Sequence, residues 1–175
     1  MGLPFTAIPS NVDESFDAGM EASAVVEDLA RRKVRKVLHD LKEKPPWICG
    51  ADTLVVLDGK FYGKPENRED AACMLRSFSG RAHQVISGLA LYNGRAGTFD
   101  SRSVASSVSF APLDEKEIQW YLDSSEWQGA AGGYMIQGTA SCFITEIRGS
   151  FSSIVGLPLR EFYVMLRDNG YPYGG

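Results

Sequence analysis

Two short turn sequences constrain the fold of this chain more than any other feature: Asp58-Gly59 and Asn93-Gly94. Dipeptides of this kind favour the tight turns that join antiparallel strands, and both lie between runs of β-forming residues. The strands predicted beside them are 54–57 with 60–62, and 83–92 with 98–110. A chain with two such hairpins cannot form a purely parallel, doubly wound sheet, because parallel strands need long crossover connections.

Helical patterns alternate with these strand pairs. Apolar residues recur at helical spacing, and Asp114 with Glu117 forms a sequence typical of a helix start. The predicted helices are 21–41, 66–78, 114–122 and one that begins at Leu157-Pro158. Further strands are predicted at 5–8, 47–50 and 142–147. We therefore predict an α/β fold, with a mixed curved sheet and flanking helices, in a single domain over residues 1–175.

The composition limits the classes of function. With 175 residues, 44% of them hydrophobic, the chain can bury a core of its own. Its net charge of -4 argues against a basic nucleic-acid-binding surface as the main function. We find no signal-peptide pattern, no apolar run of membrane-spanning length and no zinc-ligand spacing, so we expect a cytoplasmic protein that binds neither membrane nor nucleic acid.

Asp52 and Lys64 stand at positions typical of functional side chains. Asp52 follows the predicted strand 47–50, where a carboxylate can hold a metal ion or take a proton from water. Lys64 lies in Gly63-Lys64-Pro65, just before a helix, where a lysine suits an anionic ligand. Each residue has a plainer interpretation, since Asp52 could cap a turn and Lys64 could be solvated.

Other charged residues near the first helix are weaker candidates. Asp13-Glu14 precedes that helix, and hard carboxylates of this kind suit magnesium or manganese. An acidic patch at the helix entrance is an equally good interpretation. Lys33 lies in the basic run 31–36, which is usually a solvated helix face.

Gln137 lies in the glycine-rich segment 132–138. Its amide carries both a donor and an acceptor, so it could recognise the edge of a nucleobase or bond to its own loop. His83 and Ser87 are interpreted as structural residues, because no Ser-His-Asp order with a nucleophile elbow is present.

Eight short motifs run nearly from end to end of the chain. They are Gly2-Leu3-Pro4-Phe5, Asp13-Glu14, Leu29-Ala30-Arg31-Arg32-Lys33, Ala51-Asp52-Thr53, Gly63-Lys64-Pro65, Ser79-Gly80-Arg81-Ala82-His83-Gln84-Val85, Gly133-Tyr134-Met135-Ile136-Gln137-Gly138 and Ile154-Val155-Gly156-Leu157-Pro158-Leu159. In this order they resemble the Maf family of nucleotide pyrophosphatases, also called septum-formation inhibitor proteins.

The resemblance implies an enzyme that hydrolyses a nucleoside triphosphate to the monophosphate and pyrophosphate with a divalent cation, Mg²⁺ or Mn²⁺. The expected substrates are dTTP and UTP, with modified pyrimidine nucleotides as further candidates. Two alternatives remain open. One is the same reaction on another base, such as 7-methyl-GTP or CTP, and the other is a nucleotide-binding cell-division regulator with little turnover.

The resemblance also assigns roles to residues. Asp52 matches the proton acceptor of the family, and Asp52 and Glu14 are the expected metal-binding carboxylates. Lys33 and Lys64 match phosphate-contacting lysines, whereas Thr53 and Gln137 match positions that set base preference. The implied fold is a two-lobed α/β domain similar to that of inosine-triphosphate pyrophosphatases, with the nucleotide in the cleft, and the implied assembly is a homodimer.

The chain departs from the family pattern in two places. Members usually open with a strand and Ser-x-Ser-Pro-Arg-Arg, whose arginines hold phosphate, and the chain is expected to begin after that segment. Members that act on dTTP often carry Asp-Lys-Ala-Gly before the tyrosine of the glycine-rich segment. Here the sequence is Gly129-Ala130-Ala131-Gly132, so that Ala130 stands in place of the lysine.

Overall fold

The computed structural model describes residues 2–17 and 19–172, so that residues 1, 18 and 173–175 of the predicted domain lie outside it. The strands are β1 (Trp47–Leu57), β2 (Lys60–Tyr62), β3 (Ala82–Asn93), β4 (Thr98–Phe110) and β5 (Ile144–Arg148). The helices are α1 (Ala22–Asp40), α2 (Arg68–Phe78), α3 (Glu115–Asp123), α4 (Phe151–Val155) and α5 (Leu159–Asp168). Two short 3₁₀ helices, Ala131–Gly133 and Thr139–Phe143, precede β5.

The five strands form one sheet in the order β2-β1-β3-β4-β5, with every pairing antiparallel. Both predicted hairpins are present. Asp58 and Gly59 both have positive φ angles, 51° and 75°, as the two central residues of a type I′ turn require. The second hairpin closes at the pair Asn93↔Thr98 and therefore has a longer loop. The predicted α/β fold, with helices flanking a sheet, is confirmed, although the sheet was predicted to be mixed and all pairings among the described strands are antiparallel.

The long predicted helices also agree with the structure. At the start of α3, the Asp114 carboxylate accepts hydrogen bonds from the backbone of Lys116 and Glu117, and the Glu117 side chain bonds back to the Asp114 backbone. This is the reciprocal cap that the sequence predicted. Helix α4 was not predicted, because five residues are too few to show a helical period.

The strand predictions differ from the structure in three places. Residues 5–8 form no strand, and Phe5 is 87% exposed, because no described strand lies beside this segment to complete a hydrogen-bonded ladder. The segments 47–50 and 54–57 are one continuous strand, β1, so Asp52 lies in the middle of a strand and not at its end. The predicted strand 142–147 begins only at Ile144, since the preceding residues form a 3₁₀ helix.

Helix α1 covers one face of the sheet and approaches its backbone very closely. A Cβ atom at Gly88 on β3 would overlap the carbonyl group of Val26 and lie 2.8 Å from the backbone nitrogen of Glu27. A Cβ atom at Gly50 on β1 would lie 2.9 Å from the carbonyl oxygen of Ala30. Only glycine leaves room for the helix at these two positions. Both lie next to Asp52, because Gly50 precedes it by two residues on β1 and Gly88 pairs with it on β3.

The opposite face of the sheet carries the larger core. One cluster joins β1, β3 and β4 to α2 and α3 around Phe78 and Tyr121, and a second joins β3 to α5 around Met165. Because side chains alternate along a strand, the even-numbered residues of β1 face α1 and the odd-numbered ones face this core. No helix in the described part of the chain is long and apolar enough to cross a membrane.

We expect Gly88→Ala to destabilise the protein by about 1–3 kcal/mol or more, because the added methyl group collides with the backbone of α1. Urea unfolding measures the change in the free energy of unfolding. Gly19→Ala is the matched control, since a Cβ atom there would meet only Asp17 Oδ1 at 3.6 Å. Equal stabilities of the two variants would contradict the close contact between α1 and the sheet.

Candidate functional site

A cleft of about 400 Å³ lies along the part of β1 that β2 leaves uncovered. β2 pairs with β1 only from Val55 to Leu57, and no other described strand pairs with that side of β1. All six candidate residues from the sequence line this cleft: Glu14, Lys33, Asp52, Thr53, Lys64 and Gln137. Its volume lies in the range of small-molecule sites.

Asp52 and Thr53 enter the cleft from opposite faces of β1. Asp52 shares its face with α1, whereas Thr53 pairs with Ser87 on the face that carries the larger core. A cleft that follows the free edge of a strand can receive side chains from both faces. The strand therefore separates a charged half of the cleft, around Asp52, from a half around Thr53.

Four charged side chains form the charged half of the cleft. Lys33 on α1 donates a hydrogen bond to Asp52, and its Nζ lies 2.9 Å from Glu14 Oε1. Lys64 Nζ lies 3.7 Å from the other oxygen of Glu14. The Asp52 side chain is only 9% exposed, whereas that of Lys64 is 58% exposed. Lys33 is thus a half-buried link between two carboxylates, and the interpretation of its basic run as a wholly solvated face is wrong.

The surroundings change the proton affinities of these groups. Burial raises the pKa of Asp52 above the ordinary value, although the Lys33 ammonium acts in the opposite direction. Burial by itself would lower the pKa of Lys33, but its hydrogen bonds to Asp52 and Glu14 raise it overall. The hydrogen bond from Lys33 lowers the pKa of Glu14. Asp52 is therefore a stronger base than a free aspartate, beside an ammonium that stays charged.

The segment before α1 positions Glu14. Arg32 on α1 donates a 2.7 Å hydrogen bond to the carbonyl oxygen of Ser15. The Asp13 carboxylate accepts hydrogen bonds from the backbone and hydroxyl groups of Ser15, at 2.9 and 2.7 Å. The two residues of the acidic pair thus differ, because Asp13 shapes its own turn and Glu14 reaches Lys33.

A backbone hydrogen bond joins Gly63, the residue before Lys64, to the glycine-rich segment. The Gly132 nitrogen donates to the Gly63 carbonyl oxygen at 2.8 Å. Gly132 has a φ of 70°, and a Cβ atom there would lie 2.9 Å from a Val55 methyl group. Glycine at this position lets the segment pack onto β1 and brings the Lys64 loop to the cleft.

Two residues that the sequence analysis did not single out hold the loop of Gln137. The Glu126 carboxylate accepts hydrogen bonds from the Thr139 backbone and hydroxyl groups at 2.7 and 2.8 Å. The Tyr121 hydroxyl accepts one from the Met135 backbone at 3.1 Å, and Tyr134 packs in the core. Lone residues of these types carry no sequence signal for such contacts, which arise only when distant segments meet.

Neither His83 nor Ser87 lines the cleft, so neither is placed to act as a nucleophile or a base on a ligand there. His83 is 2% exposed among aromatic rings, does not line the cleft, and has its Nε2 2.7 Å from the Tyr134 hydroxyl. Burial lowers the pKa of His83 to about 4, so the imidazole is neutral at physiological pH. Ser87 is fully buried and bonded to Thr53 and to the Ser153 carbonyl group.

The charges that line the cleft balance one another. Two lysines face two carboxylates, Glu14 and Asp52, and both carboxylates converge on one ammonium group. Among the described residues, no group of three or more His, Cys, Asp and Glu side chains could hold a metal ion. Two hard carboxylates fit Mg²⁺, which proteins often bind through one or two carboxylates together with substrate phosphates.

Comparisons with a family model and with individual proteins point to the same family. A family model described as Maf-like protein matches residues 1–169. A dTTP/UTP pyrophosphatase of Symbiobacterium thermophilum is 41% identical over 98% of this chain and 87% of its own. Proteins of the same name from Anaeromyxobacter sp. and Shewanella denitrificans are 41% and 42% identical, over 98% and 93% of this chain and 82% and 81% of theirs.

The burial of neutral His83 predicts a loss of stability in acid. The unfolded state binds a proton near pH 6.5 and the folded state only near pH 4, so stability falls as the pH falls between these values. This difference in pKa lowers the free energy of unfolding by about 3 kcal/mol in acid, because each tenfold change in proton affinity corresponds to about 1.4 kcal/mol. We expect His83→Phe to show a shallower pH dependence in urea unfolding. A His83→Phe slope equal to that of wild type would contradict the assignment.

Proposed function

The chain belongs to the Maf family, and we propose on this basis that it hydrolyses dTTP and UTP to the monophosphate and pyrophosphate. The observation that carries the proposal is the agreement of relatives about 40% identical over nearly the whole chain, all named dTTP/UTP pyrophosphatase. The cleft supports it, because the residues expected to contact phosphates, water and base lie together there.

Asp52 is the proposed proton acceptor. In the reaction, the oxygen of a water molecule bonds to the α-phosphorus, and the bond from that phosphorus to the bridging oxygen breaks. Asp52 takes the proton that the water loses, and its raised pKa suits it to this task. The hydrogen bond from Lys33 fixes the orientation of the carboxylate.

Lys33 and Lys64 are the proposed phosphate contacts. Breaking the anhydride builds negative charge on the departing pyrophosphate, and fixed cations stabilise that charge. The Lys33 ammonium has three N–H donors, of which Asp52 and Glu14 use two, so one remains for a phosphate oxygen. Lys64 is more exposed and makes only a long contact with Glu14, so it can turn towards a ligand at little cost.

The charge balance supports a requirement for a divalent cation. Glu14 and Asp52 already match the two lysines, which leaves no net positive charge in the cleft for a triphosphate. We propose that Glu14 and Asp52 hold Mg²⁺ or Mn²⁺ together with the substrate, since their oxygens are ligands of the right kind. When bound, the cation neutralises phosphate charge and polarises the scissile group.

Thr53 and Gln137 are the proposed base-recognition residues. Thr53 lies across β1 from the charged half, and Gln137 lies on a loop at the mouth of the cleft. Hydroxyl and amide groups at these positions can bond to the polar edge of a pyrimidine. A homodimer and a cytoplasmic location remain predictions from the sequence.

Pyrophosphate release from a panel of nucleoside triphosphates tests the function. With Mg²⁺ or Mn²⁺ we expect release from dTTP and UTP, and none after addition of a chelator. Asp52→Asn should lower kcat by about 10²–10⁴, because it removes the general base while preserving the shape of the side chain.

Asp58→Asn is the matched control for Asp52→Asn. Asp58 lies at the hairpin tip that ends β1 and does not line the cleft, so this variant should keep wild-type activity. Release mainly from another base would overturn the proposed substrate. Nucleotide binding without release would favour the regulator alternative.

The acid limb of the pH profile tests the role of Asp52. The base must be deprotonated, so kcat/KM should fall as the pH drops through a pKa above that of an ordinary aspartate. Lys33→Met removes the ammonium that lowers this pKa, and should move the acid limb to higher pH as well as reduce activity. An acid limb that does not move in Lys33→Met would count against the coupling of Lys33 to the base.

A further inference from the structure

Behind Thr53 lies a short chain of hydrogen bonds that the proposed chemistry does not use. The Thr53 and Ser87 hydroxyl oxygens are 2.7 Å apart, on residues directly opposite each other in β1 and β3. The Ser87 hydroxyl in turn donates a 2.6 Å hydrogen bond to the carbonyl oxygen of Ser153 on α4. Ser87 is fully buried, so water does not compete for these bonds.

The direction of these bonds follows from counting hydrogen atoms. A serine hydroxyl has one hydrogen, and a carbonyl oxygen can only accept, so the Ser87 hydrogen points to Ser153. Towards Thr53, the Ser87 oxygen must therefore accept. The Thr53 hydroxyl then donates its only hydrogen into the protein, and it presents lone pairs alone to the cleft.

The open side of the Thr53 hydroxyl faces the cleft beside Gly156. A Cβ atom at Gly156 would lie 3.6 Å from Thr53 Oγ1, and both residues line the cleft. The same α4 turn supplies the Ser153 carbonyl group, which also accepts a 2.9 Å hydrogen bond from the Gly156 nitrogen. One turn thus holds both the carbonyl oxygen that accepts from Ser87 and the glycine that lies beside the Thr53 hydroxyl.

We propose that Ser87 is a positioning residue that holds the Thr53 hydroxyl as an acceptor and so selects uracil and thymine over cytosine. Uracil and thymine carry a hydrogen on ring nitrogen N3, whereas cytosine carries a lone pair there. Placed opposite N3, an acceptor-only hydroxyl bonds to the first two bases and meets a second lone pair in cytosine, an arrangement that leaves polar groups unpaired. This inference rests on the proposed function, because it concerns the base of that substrate.

Kinetics with UTP and CTP test the proposal. In Ser87→Ala, the Thr53 hydroxyl is free to rotate and donate to cytosine N3. We expect the ratio of kcat/KM for UTP to that for CTP to fall at least about tenfold, through a gain for CTP as well as a loss for UTP. A purely structural defect would lower both values together and leave the ratio unchanged.

A double-mutant cycle separates positioning from other effects. Thr53→Val removes the hydroxyl while keeping the shape, and adding Ser87→Ala to it should leave the ratio where Thr53→Val puts it. Ser106→Ala is the matched control, because Ser106 is a buried serine on β4 that bonds to Ser150, in the turn before α4, but not to Thr53. Its ratio should equal that of wild type.

Three results would overturn the proposal: an unchanged ratio in Ser87→Ala, a shift towards UTP, or a further change on the Thr53→Val background. Near-ultraviolet circular dichroism checks that the variants fold. If Ser87→Ala does not fold, Ser87→Cys replaces it, and because a thiol forms weaker hydrogen bonds we expect a smaller fall of the UTP-to-CTP ratio in the same direction. Absence of pyrophosphate release from every nucleotide in the wild type would instead refute the proposed function. Release from UTP with any of the three results refutes only the role of Ser87.

Discussion

The close contact between α1 and the sheet determines the geometry of the site. Gly50 and Gly88 have no Cβ atoms, so the helix backbone lies directly on β1 and β3 next to Asp52. That approach brings Lys33 within hydrogen-bonding distance of Asp52, and Arg32 on the same helix holds the segment that carries Glu14. A helix lifted by larger residues at these two glycines would lose the contact between the base and its ammonium partner, and the charged half of the cleft depends on that contact.

The free edge of β1 gives the cleft its second half. A strand sends consecutive side chains to opposite faces, and a cleft over one face would receive only alternate residues. Because β2 ends its pairing at Val55, the cleft reaches around the strand edge and receives Asp52 from one face and Thr53 from the other. Two adjacent residues can thus contact different parts of one ligand, and the proposed function places phosphates on the α1 side and the base on the side of the buried serines.

The relative strengths of the charged contacts also bear on function. Lys33 is half-buried between two carboxylates, whereas Lys64 is exposed and only distantly paired, so the two lysines differ in the freedom to move towards a ligand. Desolvation outweighs the attraction of Lys33 in the proton affinity of Asp52, and the carboxylate gains basicity without losing its fixed orientation. The charged side chains that line the cleft leave no surplus positive charge, which is the reason why the proposed function couples the binding of a triphosphate to that of a cation.

Local sequence determined much of this protein. The tight turn at 58–59, the period of α1 and the cap at Asp114 depend on neighbouring residues, and they appear in the structure as predicted. The hairpin that Asn93-Gly94 indicated also forms, but with a longer loop. The six candidate residues could be named from ordered motifs, yet no single one was convincing, and the strand predicted at 5–8 found no partner. Only the tertiary structure decided that Asp52 lies within a strand, that Lys33 is half-buried and that Ser87 contacts Thr53. The burial and the hydrogen-bond partners of these residues depend on contacts between segments that are far apart in the chain, and a local sequence pattern does not specify such contacts.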